Sequence, residues 1–353
     1  MNSEIEYVGC IHIHTIYSDG SGNYEDIISK GIEANLDYLM FSDHMTLQPK
    51  RDGYGGWYNG LFVIVGYEIN DKDDRHHFLA FGIDEELPKD LSHEEYIERV
   101  KALGGLGIVA HPFEERDIEH ALPGYPPAPW GNLDYKGIET IEIWNMMSHW
   151  MEKTTIRNKY WNAIHPRSFS TFPKKNLLQW WDNVNKVRKV TGIGSVDAHA
   201  IKVKVLGLFS KSIFDYKIMF KSIRTHLLLD KPISKEKSIK ENEKLIFNAI
   251  KNGRCFISNY RRGDARGFRF WAENEGNIYH MGDRVISNDV TLKAILPDKA
   301  VCKVIKDGKV FYKNEINTLN LDVPSGIYRL EVEKEGRGWI YTNHIKVIGN
   351  FER

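Results

Sequence analysis

The chain has no paired cysteines, no excess of charge of either sign and no long apolar run, and each absence removes a class of protein. Its three cysteines, Cys10, Cys255 and Cys302, lie far apart without a CxxC spacing. That argues against a disulfide framework and a thiolate zinc site, and fits a reducing compartment. Lysine and arginine total 48 and aspartate and glutamate total 48, so no basic footprint for duplex nucleic acid or an anionic membrane exists, while short single strands stay open. No run of about 18 apolar residues occurs. The opening MNSEIEYVGCIHIH lacks the basic and apolar regions of a secretion signal. A cytoplasmic protein without membrane spans is the expectation.

At 353 residues the chain is longer than one typical core supports, so two domains are expected unless a single α/β barrel takes up most of it. Short runs rich in Val, Ile and Phe recur: YVGCIHI, DYLMFSDH, LFVIVGYE, HFLAFGI, GIVAHP, GIETIEIWN, GIGSVDAH and RCFIS. Helical patterns lie between several of them. One carries Ile27, Ile28, Ile32 and Leu36 on a single face, and SHEEYIERVKALGG opens with Ser92 three residues before Glu95, the signature of a capping box. Strands alternating with helices indicate βα units in a parallel sheet or barrel. After about residue 260 the period changes to short alternating runs such as FRFWAEN, VTLKAIL and IYRLEVEK, with Asp307 and Gly308 between two runs as a hairpin turn. The expected division is residues 1–259 as an α/β barrel and 260–353 as an antiparallel β-sandwich.

The chemistry gathers at the ends of the predicted strands. His12 and His14, two apart, leave one face of a strand and can bind one ion together, which alone is weak evidence. Asp19 follows in SDGSG, His44 ends FSDH, Glu68 ends VIVGYE, His77 opens HFLAFG, His111 ends GIVAH, and Asp197 and His199 end GIGSVDAH. In parallel barrels the carboxyl ends of the strands share one side, where active sites lie. Six of the 14 histidines and no thiolate belong to this set, which suits zinc, manganese or iron ions. His77 is preferred over His76 because consecutive strand residues face opposite ways. Asp43 reads as an acceptor that orients a neighbouring imidazole.

The ordered motifs HIHTIYSDGS, FSDH, GYEI with HHFLAFGI, IVAHP and SVDAH resemble those of the PHP (polymerase and histidinol phosphatase) superfamily over roughly residues 5–259. The resemblance implies a distorted (β/α)7 barrel with two or three divalent metal ions. Carried over by position, it gives one ion to His12, His14, Glu68 and Asp197, a second to Glu68, His77 and His111, and a third to Asp19, His44 and His199. Some members of the family carry a histidine where Asp19 stands. The ending RGWIYTNHIKVI looks like the tail of two-domain members that pair the barrel with an Ig-like module.

Such a centre implies hydrolysis of a phosphomonoester, a nucleotide or short oligonucleotide among the candidates, by hydroxide that the ions make available near neutral pH. Glu68, Asp197 and His199 are the expected catalytic groups. Lys50, Arg51, Arg116 and Lys202 lie close in sequence to the proposed ligands and are candidate phosphate grips. Trp144, after a predicted strand end, is a candidate stacking platform, and KRDGYGGWYNG a candidate covering loop. The alternatives are hydrolysis of a carboxyl ester, amide or carbamate on the same centre, and a barrel that binds without turnover. The expected partner is a small phosphorylated substrate, and self-association is left open.

Overall fold

The computed structural model describes residues 4–350 except 73–74, 117–118, 120–126, 166, 168, 206–208 and 213, with the backbone alone for 202–205 and 209–211. β1 (Ile5–Ile11) leads through α1 (Tyr24–Glu33) to β2 (Tyr38–His44), and α2 (Gln48–Arg51) and β3 (Gly56–Tyr58) precede the long β4 (Leu61–Asn70). β5 (His77–Phe81), α3 (His93–Ala102), β6 (Leu106–Val109) and β7 (Thr140–Asn145) follow. Then come α4 (Met146–Lys153), α5 (Lys159–Ile164), α6 (Lys175–Val187) and β8 (Thr191–Ser195). The hairpin of β9 (Lys202–Val205) and β10 (Phe209–Ser212), α7 (Tyr216–Met219), β11 (Ile223–Leu229), α8 (Ile239–Lys251) and β12 (Cys255–Asn259) complete this part. The helices begin where side chains satisfy their free amides. Asn23 caps α1, and Ser92 with Glu95 and Ser238 with Glu241 form capping boxes on α3 and α8.

β1, β2 and β4 pair in parallel, as do β6, β7 and β8. β5 runs antiparallel between β4 and β6, so the sheet is mixed and not parallel throughout as the alternation of elements implied. Only residues 71–76 join β4 to β5, enough for a turn and too few for a crossover helix. β11 and β12 are antiparallel as well. Backbone bonds from Val196 N to Ile11 O (3.0 Å), Ala198 N to His12 O (3.1 Å) and His14 N to Ala198 O (3.0 Å) join the segments that follow β8 and β1. Six parallel strands therefore end on one side, and the reversed β5 places its first residue, His77, on that side too.

Alternation divides the side chains between two cores. Ile11, Met40, Ile64, Leu79 and Ile193 pack together with Ile246 and Ile250 of α8. Cys10, Phe41, Val65 and Ile141 face the other way and pack with Ile27 of α1 and Trp181 of α6. No helix is long and apolar enough to cross a membrane among the described residues.

β13 (Arg269–Asn274), β14 (Asn277–His280), β15 (Arg284–Ile286), β16 (Val290–Lys306), β17 (Lys309–Val323), β18 (Gly326–Lys334), β19 (Arg337–Thr342) and β20 (Ile345–Ile348) follow. Their pairings are antiparallel apart from β15 with β20, which is parallel. Asp307 and Gly308 take φ of 52° and 86°, the left-handed pair a two-residue hairpin turn needs. Leu292, Cys302, Leu330 and Trp339 centre a third core. β12 also pairs with β19, so a single eighteen-stranded sheet runs through the described chain. Asp182 on α6 accepts two bonds from Arg329 on β18 (2.6 and 2.8 Å) and faces His344 Nε2 at 2.7 Å, a buried polar tie between the first part of the chain and the last.

Candidate metal centre

The strand ends bring all nine anticipated side chains to one place. His12 and His14 follow β1, His44 ends β2, Glu68 stands near the end of β4 opposite His44, His111 follows β6, and Asp197 and His199 follow β8. Asp19 returns over His14 through a turn that needs Gly20, where a Cβ would come within 2.5 Å of the His14 carbonyl. One Glu68 oxygen lies 2.8 Å from His12 Nε2 and 3.0 Å from His14 Nε2, and the other lies 2.8 Å from His77 Nδ1 and 3.6 Å from His111 Nε2. Asp197 Oδ1 is 3.4 Å from His12 and 3.5 Å from His14. Asp19 lies 3.2 Å from His199, 3.5 Å from His14 and 3.8 Å from His44. Ligand atoms of His12, His14 and Asp197 fall within 4.8 Å of one another, as do those of His14, Asp19, His44 and His199, and those of His44, Glu68 and His77. His44 thus stands between two groups.

Three of these residues hold left-handed backbone: His12 (φ 71°), His111 (φ 28°) and Asp197 (φ 53°). For a residue with a Cβ this costs about 1 kcal/mol or more each, a cost concentrated where the strands deliver their ligands.

The electrostatics favour a cation at this point. Burial alone would lower the imidazoles, but Asp197 and Glu68 push His14 up to about 10, and Glu68, Glu114 and Asp197 push His111 up to about 9. Burial would likewise raise Glu68, yet His12, His44 and His77 hold it well below the usual carboxylate range. Both ring nitrogens of His14, Oε1 of Glu68 and Nδ1 of His111 are buried without a hydrogen bond. Buried polar atoms ordinarily find partners, so a donor set of imidazole nitrogens and carboxylate oxygens with unpaired atoms fits a divalent metal. The cleft above them measures about 500 Å³ and is lined by Asp19, His44, Glu68, His77, His111 and Asp197 together with Arg116, Met147 and Met151.

His76 turns away from the centre toward Asp71, as strand alternation required. Glu142, not anticipated from the sequence, lies beneath. Its carboxylate is 2.7 Å from His12 Nδ1, accepts the His111 amide at 2.7 Å and takes Asn145 Nδ2 at 2.8 Å. An acidic residue inside the apolar run TIEIWN was the available signal. Asp43 orients no imidazole. It accepts from Thr15 N and Oγ1 and from Ser18 Oγ at 2.7 to 2.8 Å, and so pins the turn that carries Asp19.

Several expected substrate contacts do not hold. Trp144 is 1% exposed, donates to Ser170 Oγ and meets Tyr341 edge-on, because a register shift in β7 between Glu142 and Trp144 seats it in the core. Lys50 donates to the Ile83 carbonyl and pairs with Asp84, and Arg51 is taken by Glu86. Neither lines the cleft. The segment that holds them is no covering loop: it is α2 and β3, and β3 pairs with β4. Arg116 does line the cleft, held by Glu114. The side chain of Lys202 lies outside the described residues.

No family model matches the chain. Part of it is 29% identical over 122 aligned positions to an uncharacterised protein of Methanocaldococcus jannaschii, a match that takes in 29% of this chain and 66% of the length of that protein. Among solved structures, a two-domain protein from Bacteroides vulgatus containing a predicted PHP-like metal-dependent phosphoesterase covers 97% of this chain and 95% of its own, at 15% identity and a TM-score of 0.47. A candidate metal-dependent phosphoesterase from Bifidobacterium adolescentis covers 60% of this chain and 93% of its own (15% identity, TM-score 0.34). An amidohydrolase from Chromobacterium violaceum covers 54% and 87% (13%, 0.32). At these TM-scores the likeness assigns no activity, which has to come from the chemistry of the cleft.

Proposed function

We propose that the chain is a metal-dependent phosphoesterase of PHP type, acting on a phosphomonoester of nucleotide or short-oligonucleotide size. It would comprise a (β/α)7 barrel over residues 1–259 and an Ig-like β-sandwich over 260–353, and work in the reducing cytoplasm, where its three buried cysteines stay free. The observation that carries the reading is the convergence of nine nitrogen and oxygen donors from separate strand ends, several of them buried and unpaired, under one cleft. A cleft of about 500 Å³ has room for a small phosphate ester.

His12, His14, Glu68 and Asp197 would hold one ion, Glu68, His77 and His111 a second, and Asp19, His44 and His199 a third, with zinc, manganese or iron suited to the donors. Ions so held lower the pKa of water toward neutrality and offset charge on a phosphoryl group. Glu68, with one oxygen beside His12 and His14 and the other beside His77 and His111, would belong to both the first and the second set. Asp197 and His199 line the same cleft and would complete the catalytic groups with Glu68. Arg116, the arginine among the described lining residues, would orient a phosphate, with Glu114 fixing its guanidinium.

The test is elemental analysis of protein purified without chelator, beside turnover of p-nitrophenyl phosphate and p-nitrophenyl acetate. Two to three ions per chain with phosphate release are expected. Cleavage of the acetate alone would move the reaction to carboxyl esters, amides or carbamates. A metal-free chain that stays inert after reconstitution would end the catalytic reading and leave a binding protein.

A further inference from the structure

A second cluster of metal-ligating side chains lies outside the cleft. Asp71 precedes the turn into β5, His76 ends it, and His93 opens α3. One ligand atom from each lies within 4.8 Å of the others. Asp71 spends one oxygen on the amides of Arg75 (2.9 Å) and His76 (3.3 Å), which aims the other at His76 Nδ1, 2.5 Å away. The rings of His76 and His93 stand 4.1 Å apart at 19°, close to the disposition of His14 and His199 in the cleft, 4.0 Å and 19°. Trp130 stands edge-on to both, at 5.2 and 5.3 Å, and is 5% exposed. His93 Nε2 is buried without a hydrogen bond, and Glu94 Oε1 lies 3.3 Å from it.

We propose that Asp71, His76 and His93 form a separate transition-metal site, structural in role, on the outer face of the β4–β5 turn. Two imidazole nitrogens and a carboxylate oxygen, with Glu94 or a water as the fourth group, match the donor types of a four-coordinate zinc site. The site is distinct from the cleft because His76, at the end of the turn, meets Asp71 while His77, the first residue of β5, meets Glu68. An ion held here ties the start of α3 to the turn that delivers His77, and so restrains the backbone on which His77 reaches Glu68. A hydrogen-bonded cluster alone would account for Asp71 and His76, since each already has a partner. It does not account for His93 Nε2, which lies behind the Trp130 wall without a hydrogen bond, with only the Glu94 carboxylate 3.3 Å away.

The experiment is metal content per chain after zinc loading and desalting, for the full-length protein and for His93→Ala and the gentler His93→Gln, each checked for native circular dichroism. Both variants should hold about one ion fewer than the parent. If His93→Ala fails to fold, His93→Gln decides. Equal zinc content in parent and folded variant overturns the proposal. The outcome is separable from that of the cleft: were the cleft to bind no metal, the parent would still carry a single ion that the His93 variants lose. A second readout is thermal, since added zinc should raise the melting temperature of parent protein treated with chelator more than that of either variant.

Discussion

His12 in the cleft and His226 on β11 are both fully buried imidazoles flanked by a glutamate, and they differ in what surrounds them. His226 takes Glu6 at Nδ1 (2.7 Å) and Ser258 at Nε2 (2.8 Å), stacks on Phe256, and keeps ordinary backbone. The Glu6–His226–Ser258 order mimics a nucleophilic triad, yet Ser258 is 0% exposed and no described cleft reaches it, so it is a satisfied piece of core. His12 stands on left-handed backbone within a group whose members His14, Glu68 and His111 keep unpaired buried atoms. The same residue types serve structure where every nitrogen has a partner, and serve a ligand where strain and unpaired atoms are concentrated.

The largest effect that would break this contrast is expected at Glu68. Glu68→Gln keeps the shape and removes the charge facing five imidazoles, those of His12, His14, His44, His77 and His111. It should reduce phosphate release by about a thousandfold or more and strip at least one ion, with little loss of fold. Stopped assays with elemental analysis check it, and full activity in the variant would remove Glu68 from the centre.

The opposite behaviour is expected at His226. His226→Phe leaves Glu6 and Ser258 each one partner short and should lower the unfolding free energy by about 2–3 kcal/mol in denaturant titration. Metal content and turnover of the folded protein should not change. The pair also sets an acid limit. Burial raises Glu6, but His226 and Arg269 bring it down to about 2, and burial lowers His226 itself. Both folded values lie below the unfolded ones. Their contribution is therefore complete above pH 6.5, starts to fall as the unfolded histidine protonates, and is lost further as pH drops from about 4.5 through about 2. The slope of stability against pH below 6.5 should be shallower in His226→Phe.

The convergence of the nine side chains was legible in the sequence because ligand-type residues recur in one place of the pattern: HIH on one strand face, and D or H directly after apolar runs. The capping boxes and the Asp307–Gly308 turn were legible for the same reason, since each rule is local. The reversal of β5 was not, because a short apolar run looks alike in either direction and only the length of the 71–76 connection distinguishes them. Trp144 was misplaced because a register shift between strands leaves no mark on the sequence of either. Lys50 and Arg51 lie near His44 in sequence, but their partners Asp84 and Glu86 come from a distant stretch, and proximity along the chain said nothing of that competition.

The smallest predicted effect concerns Glu142, which joins the two regimes, since it is fully satisfied itself and touches His111, whose Nδ1 has no hydrogen bond. Glu142 receives His12 Nδ1 and the His111 amide on separate oxygens, holding the Nδ1–H of His12 so that Nε2 would offer its lone pair to an ion. Glu142→Gln can still accept from one of them, but its NH2 group then opposes the other donor. Metal affinity should fall about 10- to 100-fold, as for other carboxylates that orient a ligating histidine, while turnover at saturating metal recovers most of the parental rate. That split separates a positioning residue from a ligand: an affinity loss that excess metal does not repair would place Glu142 among the ligands, and unchanged affinity would leave it a buried acid with the same structural standing as Glu6.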